Sequence, residues 1–293
     1  MTKLLTLVLL SSLAILSCDN KLNTLKVSSE AMSTDSNSDS IGRYAPVNGL
    51  QLYYEIHGTG TPLVLIHGGG STIQTTFGRI LPSLTKMHKV IAVEMQAHGH
   101  TADIDRPLSF EQDADDVAEL LKQLNIDSAD IFGFSNGAST TLQLAIRHPE
   151  RVRKIIVAST FYNKAGAQPW FFDMMANATF EGMPQPYKDT FLQINPDTNA
   201  LHRMYERDVA RMQSFPEITE AQMKTIKAPA FLIIGDADVV RPEHAVEMHR
   251  LLPKSRLAIL PGGHGDYLGE ITSLVDTTLI AATISMIEKF LIE

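Results

Sequence analysis

A serine between two glycines is the first feature of this sequence that could do chemistry. The stretch GFSNG spans residues 133–137 and has Ser135 at its centre. A β-like run at 128–133 precedes it, and the helix-like run ASTTLQLAIRH follows it. In a sharp strand-to-helix turn the apex residue is strained, and bulky residues two positions away would collide. The pattern therefore predicts a turn that exposes the Ser135 hydroxyl; the alternative is a glycine-rich turn with an incidental serine.

A serine nucleophile needs a base and an acid that orients the base. Asp238 follows the apolar run PAFLIIG, and His264 follows the apolar run SRLAIL. The chain order serine, acid, histidine is the order associated with this kind of turn. Asp236 is an alternative acid two residues before Asp238. The sequence thus predicts a catalytic triad of Ser135, Asp238 and His264.

Backbone N–H groups near Ser135 are candidates for stabilising an oxyanion. The motif His67-Gly68-Gly69-Gly70 closes an early apolar strand, and Asn136 opens the helix after Ser135. A helix N-terminus has free N–H groups that favour negative charge. We therefore predict that the N–H groups of Gly69 and Asn136 form the oxyanion hole.

The elements that must position these residues alternate between strand-like and helix-like runs. Such alternation is typical of an α/β fold with a mostly parallel central sheet and helices on both faces. Asn48-Gly49 lies between two strand-like runs and predicts a hairpin. A final helix is expected from about 272 to 291. Ligands of open parallel sheets bind at the carboxyl ends of strands, where Ser135 is expected.

Residues 161–227 differ from the rest of the chain. Five prolines divide this segment, and it holds half of the methionines and half of the aromatic residues. A structureless loop of this length is uncommon in a compact domain. We predict an inserted helical cap at 161–227, between two parts of the core at 44–160 and 228–293. Its methionine and aromatic side chains either form an apolar pocket or pack the cap onto the sheet.

The N-terminus is typical of an exported protein. Residues 1–17 have a lysine at position 3 and an apolar run too short to span a bilayer, which predicts a signal peptide. The signal ends before Cys18 and resembles a bacterial lipoprotein signal, although Leu16 is larger than usual. Residues 18–43 are rich in serine and predict a flexible tether. We expect an exported lipoprotein anchored through Cys18 to a membrane of the bacterial cell envelope; the alternative is a secreted or periplasmic protein.

Composition excludes several other classes. The net charge is -8 and no basic patch stands out, which argues against nucleic acid as a partner. The single cysteine allows no intrachain disulfide and no cysteine-rich metal site. His98 and His100 suggest a metal only weakly, because no third ligand is identifiable. Neither a cofactor nor a metal is expected, and the oligomeric state is left open.

From about Tyr44 onward, these motifs together resemble the α/β-hydrolases that carry a cap. The matching parts are HGGG at 67–70, GFSNG, the acid in GDAD and the histidine in GGHGD. The family's spacing favours Asp238 over Asp236. Glu94 stands where these enzymes commonly carry aspartate, and Gln96-Ala97 stands where an arginine-glycine pair is frequent. The resemblance implies a serine hydrolase close to esterases, enol-lactonases and C–C hydrolases.

We therefore expect hydrolysis of carboxylic esters or lactones of small to medium, fairly apolar substrates through an acyl-enzyme. One alternative keeps the triad and changes the bond, as in a C–C hydrolase, an aminopeptidase or a perhydrolase. An aminopeptidase would need carboxylates for the substrate amine, and the cap offers Asp173, Glu181 and Glu206. The other alternative is a non-catalytic protein that binds ligands on the same scaffold.

Overall fold

The computed structural model describes residues 41–293. The predicted signal peptide, Cys18 and the tether as far as residue 40 lie outside the described residues. The first strand of the described residues starts at Gly42, inside the segment predicted as a tether.

One sheet of eight strands forms the centre of the described part of the chain. The strands are β1 Gly42–Val47, β2 Leu50–His57, β3 Thr61–Ile66, β4 His88–Glu94, β5 Ala129–Phe134, β6 Val152–Ala158, β7 Ala230–Gly235 and β8 Ser255–Leu260. Their order across the sheet is β1-β2-β4-β3-β5-β6-β7-β8. The neighbouring strands in the series β4-β3-β5-β6-β7-β8 pair in parallel. Strand β2 pairs antiparallel with both β1 and β4. Asn48 and Gly49 join β1 to β2 with φ angles of 46° and 87°, so the predicted hairpin is confirmed.

Helices cover both faces of this sheet. They are α1 Ile73–Phe77, α2 Leu81–Leu84, α3 Phe110–Gln123, α4 Asn136–Arg147, α5 Phe171–Ala176, α6 Gln185–Ile194, α7 Thr198–Gln213, α8 Glu220–Met223, α9 Pro242–Leu251 and α10 Thr277–Ile292. Helices α3, α4 and α9 contribute to one apolar core, and α1, α2 and α10 contribute to the core on the opposite face. The predicted α/β-hydrolase fold is confirmed. Within residues 41–293, none of the helices is long and apolar enough to cross a membrane.

The last helix begins about five residues later than the sequence suggests. The carboxylate of Asp276 accepts hydrogen bonds from the N–H groups of Thr278 and Leu279, at 2.9 and 3.0 Å. Thr272 is held outside the helix, because both its N–H and its hydroxyl donate to Glu270. An aspartate cap therefore sets the start of α10.

Helices α5 to α8 lie between β6 and β7, in the segment predicted as a cap. In this segment, Phe171 and Met212 share an apolar cluster with Phe161, Phe215 and Ile234, the last of which lies near the carboxyl end of β7. Its last residues, among them Met223, pack instead into the core of the sheet. The exact domain boundaries remain a prediction.

Asp130, on the strand that leads to Ser135, is an unusual buried carboxylate. Its side chain is 1% exposed and accepts no hydrogen bond from the described residues. Its ion-pair partner is Arg153, whose Nε lies 3.6 Å from Asp130 Oδ1. Burial raises the pKa of Asp130, although Arg153 and Lys154 oppose this. Because the folded-state pKa is raised, stability falls as pH rises through that pKa.

We expect Asp130→Asn to raise the free energy of unfolding at pH 8, because a neutral amide replaces a buried carboxylate that has no hydrogen-bond donor. The gain should shrink towards pH 4, because the raised pKa lets the folded state take up the proton as pH falls. Urea unfolding at both pH values measures this difference. Asp115 is a matched control: partial burial raises its pKa, but Arg147 and His148 lower it more. Asp115→Asn should therefore lose stability at pH 8, and an equal effect of Asp130→Asn at both pH values would contradict the account.

Candidate active site

The turn between β5 and α4 holds Ser135 in a strained conformation. Ser135 has φ 54° and ψ -118°, values that a non-glycine residue rarely adopts. A side chain at Gly133 would overlap the carbonyl oxygen of Gly137, and one at Gly137 would overlap the carbonyl oxygen of Ile66. The reason given above for the two glycines is therefore confirmed. The turn lets α4 pack directly on the sheet with Ser135 at its N-terminus.

The structure brings the three predicted triad residues together. His264 Nε2 lies 3.0 Å from the Ser135 hydroxyl, and His264 Nδ1 lies 2.7 Å from Asp238 Oδ1. The Asp238 contact assigns the proton to Nδ1, which leaves Nε2 free to accept the serine proton. Asp236 points elsewhere and accepts a hydrogen bond from the Gly262 N–H. The geometry thus singles out Asp238 as the partner of His264.

Burial and hydrogen bonding shift the pKa values of Asp238 and His264. Burial raises the pKa of Asp238, but His264, Ser159 and the Gly235 N–H lower it by more, so the carboxylate stays ionised. Burial lowers the pKa of His264, but the Asp238 carboxylate raises it by more. The pKa of His264 therefore lies above its ordinary value of about 6.5.

Ser159 and Tyr267 support Asp238 and were not identified from the sequence. Ser159 follows β6 with φ 54°, and its hydroxyl donates to Asp238 Oδ2. The Tyr267 hydroxyl lies 2.7 Å from the Ser159 hydroxyl. The sequence feature that could have identified Ser159 is its position, because it is a polar residue at the carboxyl end of a parallel strand.

The predicted oxyanion donors are neighbours. A side chain built on Gly69 would run into the side-chain amide of Asn136, so the Gly69 backbone lies against the Asn136 side chain. Both residues line the same cavity as Ser135 and His264. His67 holds the loop that carries Gly69 through two hydrogen bonds. Its Nδ1 donates to the Gly68 carbonyl, and its Nε2 accepts from the Met95 N–H. Burial lowers the pKa of His67 to about 4, so the ring is neutral.

His98 and His100 point to different partners. His98 Nε2 lies 2.8 Å from Asp208 Oδ2, a carboxylate on cap helix α7. His100 Nδ1 lies 2.8 Å from Glu94, which also accepts the His100 N–H. Glu94 therefore organises the turn after β4. Asp208 was missed in the sequence, since nothing in its spacing distinguishes it from the exposed carboxylates of the cap.

A cavity of about 590 Å³ opens above Ser135. Much of its lining comes from apolar cap residues, namely Phe171, Met174, Met175, Met183, Met204, Met212 and Phe215. Among the described residues, Asp208 is the one acidic side chain and His264 the one histidine that line it. Most methionines of the cap thus face the cavity, whereas Met223 packs in the core, so both interpretations of these residues apply in part.

Comparisons with known proteins agree with this fold. A model of the α/β-hydrolase fold family matches residues 61–193. The human serine hydrolase BPHL is 28% identical over 235 residues, which cover 74% of this chain and 77% of that protein. A pimeloyl-[acyl-carrier protein] methyl ester esterase of Neisseria meningitidis is 29% identical over 70% of this chain and 86% of its own length.

Among solved structures, a serine hydrolase involved in carbazole degradation, the CarC enzyme, superposes with a TM-score of 0.70 at 22% identity. The match covers 86% of this chain and 98% of that chain. The chain is therefore an enzyme with the α/β-hydrolase fold.

The raised pKa of His264 predicts the acid side of the pH profile. A triad base must be neutral to accept the serine proton, so kcat/KM should rise with pH at an apparent pKa above 6.5.

Asp238→Asn should lower kcat by about 10⁴-fold, as in a comparable triad, because it stabilises the wrong tautomer. Steady-state rates between pH 5 and 9 measure both effects. A flat profile in this range, or an Asp238→Asn variant with near-normal kcat, would exclude these roles; Asp236→Asn is the matched control.

Proposed function

We propose that this protein is a serine hydrolase that cleaves carboxylic ester or lactone bonds of uncharged, largely apolar substrates. The observation that carries the proposal is the hydrogen-bonded series Ser135, His264 and Asp238 at the floor of the apolar cavity. The similarity to an enzyme named as a methyl ester esterase supports the ester as the reacting group.

The proposed reaction uses the groups as the geometry presents them. Ser135 attacks the carbonyl carbon while His264 Nε2 takes the hydroxyl proton. Asp238 stabilises the resulting imidazolium, and the N–H groups of Asn136 and Gly69 bind the oxyanion. His264 then protonates the leaving alcohol. In the second half of the reaction His264 takes a proton from water, the water attacks the acyl carbonyl, and Ser135 leaves with the proton that His264 returns. These steps require no cofactor.

The charges of the cavity favour an uncharged substrate. In the part of the chain that the structure describes, no lysine or arginine lines the cavity, so a substrate carboxylate would be buried without a partner. A substrate ammonium finds no free carboxylate either, because Asp208 already binds Arg211, His98 and the Gly70 N–H. The cap residues considered for amine recognition, Asp173, Glu181 and Glu206, are exposed and lie outside the cavity lining. These contacts disfavour an aminopeptidase and a hydrolase of carboxylate-bearing substrates.

We expect the purified protein to hydrolyse p-nitrophenyl esters, with a kcat/KM that rises with acyl length until the cavity is filled. Each buried methylene contributes about 0.8 kcal/mol, or roughly fourfold in kcat/KM. Ser135→Ala should abolish turnover without changing thermal stability appreciably.

Labelling by a fluorophosphonate separates the remaining outcomes. Stoichiometric labelling of Ser135 without ester turnover would indicate an active nucleophile with another substrate. Neither turnover nor labelling in a folded protein would exclude the catalytic proposal and favour a ligand-binding protein.

We also propose, from the sequence, that the protein is exported and anchored through a lipid on Cys18. Full-length protein in a bacterial host should incorporate an alkyne-labelled fatty acid and sediment with membranes. Cys18→Ala should lose the label and the membrane association, while ester hydrolysis by the released domain stays unchanged. A processed but unlabelled, freely soluble wild-type protein would instead indicate a secreted or periplasmic enzyme.

A further inference from the structure

Four buried charged side chains connect the cap to the loop that carries the predicted oxyanion donor. Arg211 donates to Asp113 of α3 at 2.8 Å and to Asp208 at 2.5 Å. Asp208 in turn contacts His98. We call Asp113, Arg211, Asp208 and His98 the charge chain, and residues 67–70 the oxyanion loop. Each member is less than one tenth exposed.

Asp208 touches the oxyanion loop directly. Its Oδ2 accepts a hydrogen bond of 2.6 Å from the Gly70 N–H. A side chain built on Gly69 would lie 3.2 Å from the same oxygen. The carboxylate thus fixes the backbone next to the proposed oxyanion donor, but its negative charge would oppose an oxyanion nearby unless cations balance it.

The hydrogen bonds of His98 indicate that it is one of these cations. Its Nδ1 lies 2.9 Å from the Gln96 carbonyl oxygen and its Nε2 lies 2.8 Å from the Asp208 carboxylate. Both neighbours are acceptors, so both ring nitrogens must donate and the ring is an imidazolium. With two cations and two carboxylates, the ionised charge chain is neutral.

We propose that Asp208 and His98 are positioning residues for the oxyanion hole, with Asp208 holding the oxyanion loop and His98 neutralising the carboxylate beside it. The proposal rests on the proposed hydrolysis at Ser135 and adds a second titrating group to it. Loss of the His98 proton leaves a net negative charge beside the oxyanion donors and weakens the contact that holds them.

The direction of the pH dependence follows from the groups around His98. These are Asp208 and Arg211 on α7, Asp113 on α3 and His67 on the oxyanion loop. Burial lowers the pKa of His98, but Asp208 raises it by more, so the imidazolium persists to higher pH than that of an ordinary histidine and is lost as pH rises through the raised pKa. Burial raises the pKa of Asp113 to about 6, so the chain is fully ionised only above that pH.

The test compares pH profiles of kcat for the full-length protein on its best p-nitrophenyl ester. The wild type should show a descending alkaline limb. His98→Gln can still donate to Asp208 but carries no charge, so its kcat should be low and show no such limb, close to the wild-type value at high pH. Asp208→Asn should lower kcat by about 10- to 100-fold, which is less than the roughly 10²- to 10³-fold loss when an oxyanion donor is removed, with KM changed less than about threefold.

His148→Gln is the matched control. His148 also pairs with an aspartate, Asp115 at 2.7 Å, but lies away from the cavity, so this variant should keep the wild-type profile. A merely structural role of His98 would lower the yield of folded protein without altering the shape of the profile. An alkaline limb with an unchanged midpoint in His98→Gln would overturn the proposal.

A measurement that needs no substrate distinguishes failure of the inference about His98 and Asp208 from failure of the proposed function. Imidazole ¹⁵N NMR of the wild type should show both nitrogens of His98 protonated at pH 7, with the Gly70 amide resonance shifting as His98 titrates. A neutral His98 at pH 7 would overturn the inference even if ester hydrolysis is observed. An imidazolium coupled to Gly70 would uphold the positioning contact even if no ester is turned over.

Discussion

The close approach of α4 to the sheet is the constraint on which the site depends. At Gly137 the helix lies so near the carbonyl oxygen of Ile66 that no side chain fits. This contact brings the first turn of α4, with Asn136, against the end of β3, and β3 leads directly into the oxyanion loop. The nucleophile and the proposed oxyanion donors are therefore held by one steric contact between two neighbouring strands. The strain of Ser135 is offset by the packing of the elements on either side.

Much of this arrangement was predictable, because it follows from local patterns with a short-range cause. The Asn48-Gly49 turn, the strands and the need for glycine at 133 and 137 can each be deduced from a few neighbouring residues. The start of α10 was placed too early, since a run of apolar residues does not reveal that Glu270 holds Thr272 outside the helix. Triad residues could be proposed because the carboxyl ends of parallel strands converge on one edge of the sheet.

The charge chain could not have been predicted from the sequence. Asp208 and Arg211 are three residues apart on a helix and resemble an ordinary surface ion pair. Their burial depends on how the cap packs over α3 and the oxyanion loop, which is a property of distant contacts. The same holds for Ser159, whose hydroxyl contributes only because β6 lies beside β7 in the sheet.

The position of the base has a consequence for local stability. His264 follows β8, which lies at the edge of the sheet and has no fully buried residue, whereas Ser135 follows the central, fully buried β5. Edge elements with few buried contacts open at lower free energy than the centre of a domain. Partial opening of β8 would separate the imidazole from Ser135 while the nucleophile turn stays folded. The enzyme can therefore become inactive through fraying at one edge before its core unfolds.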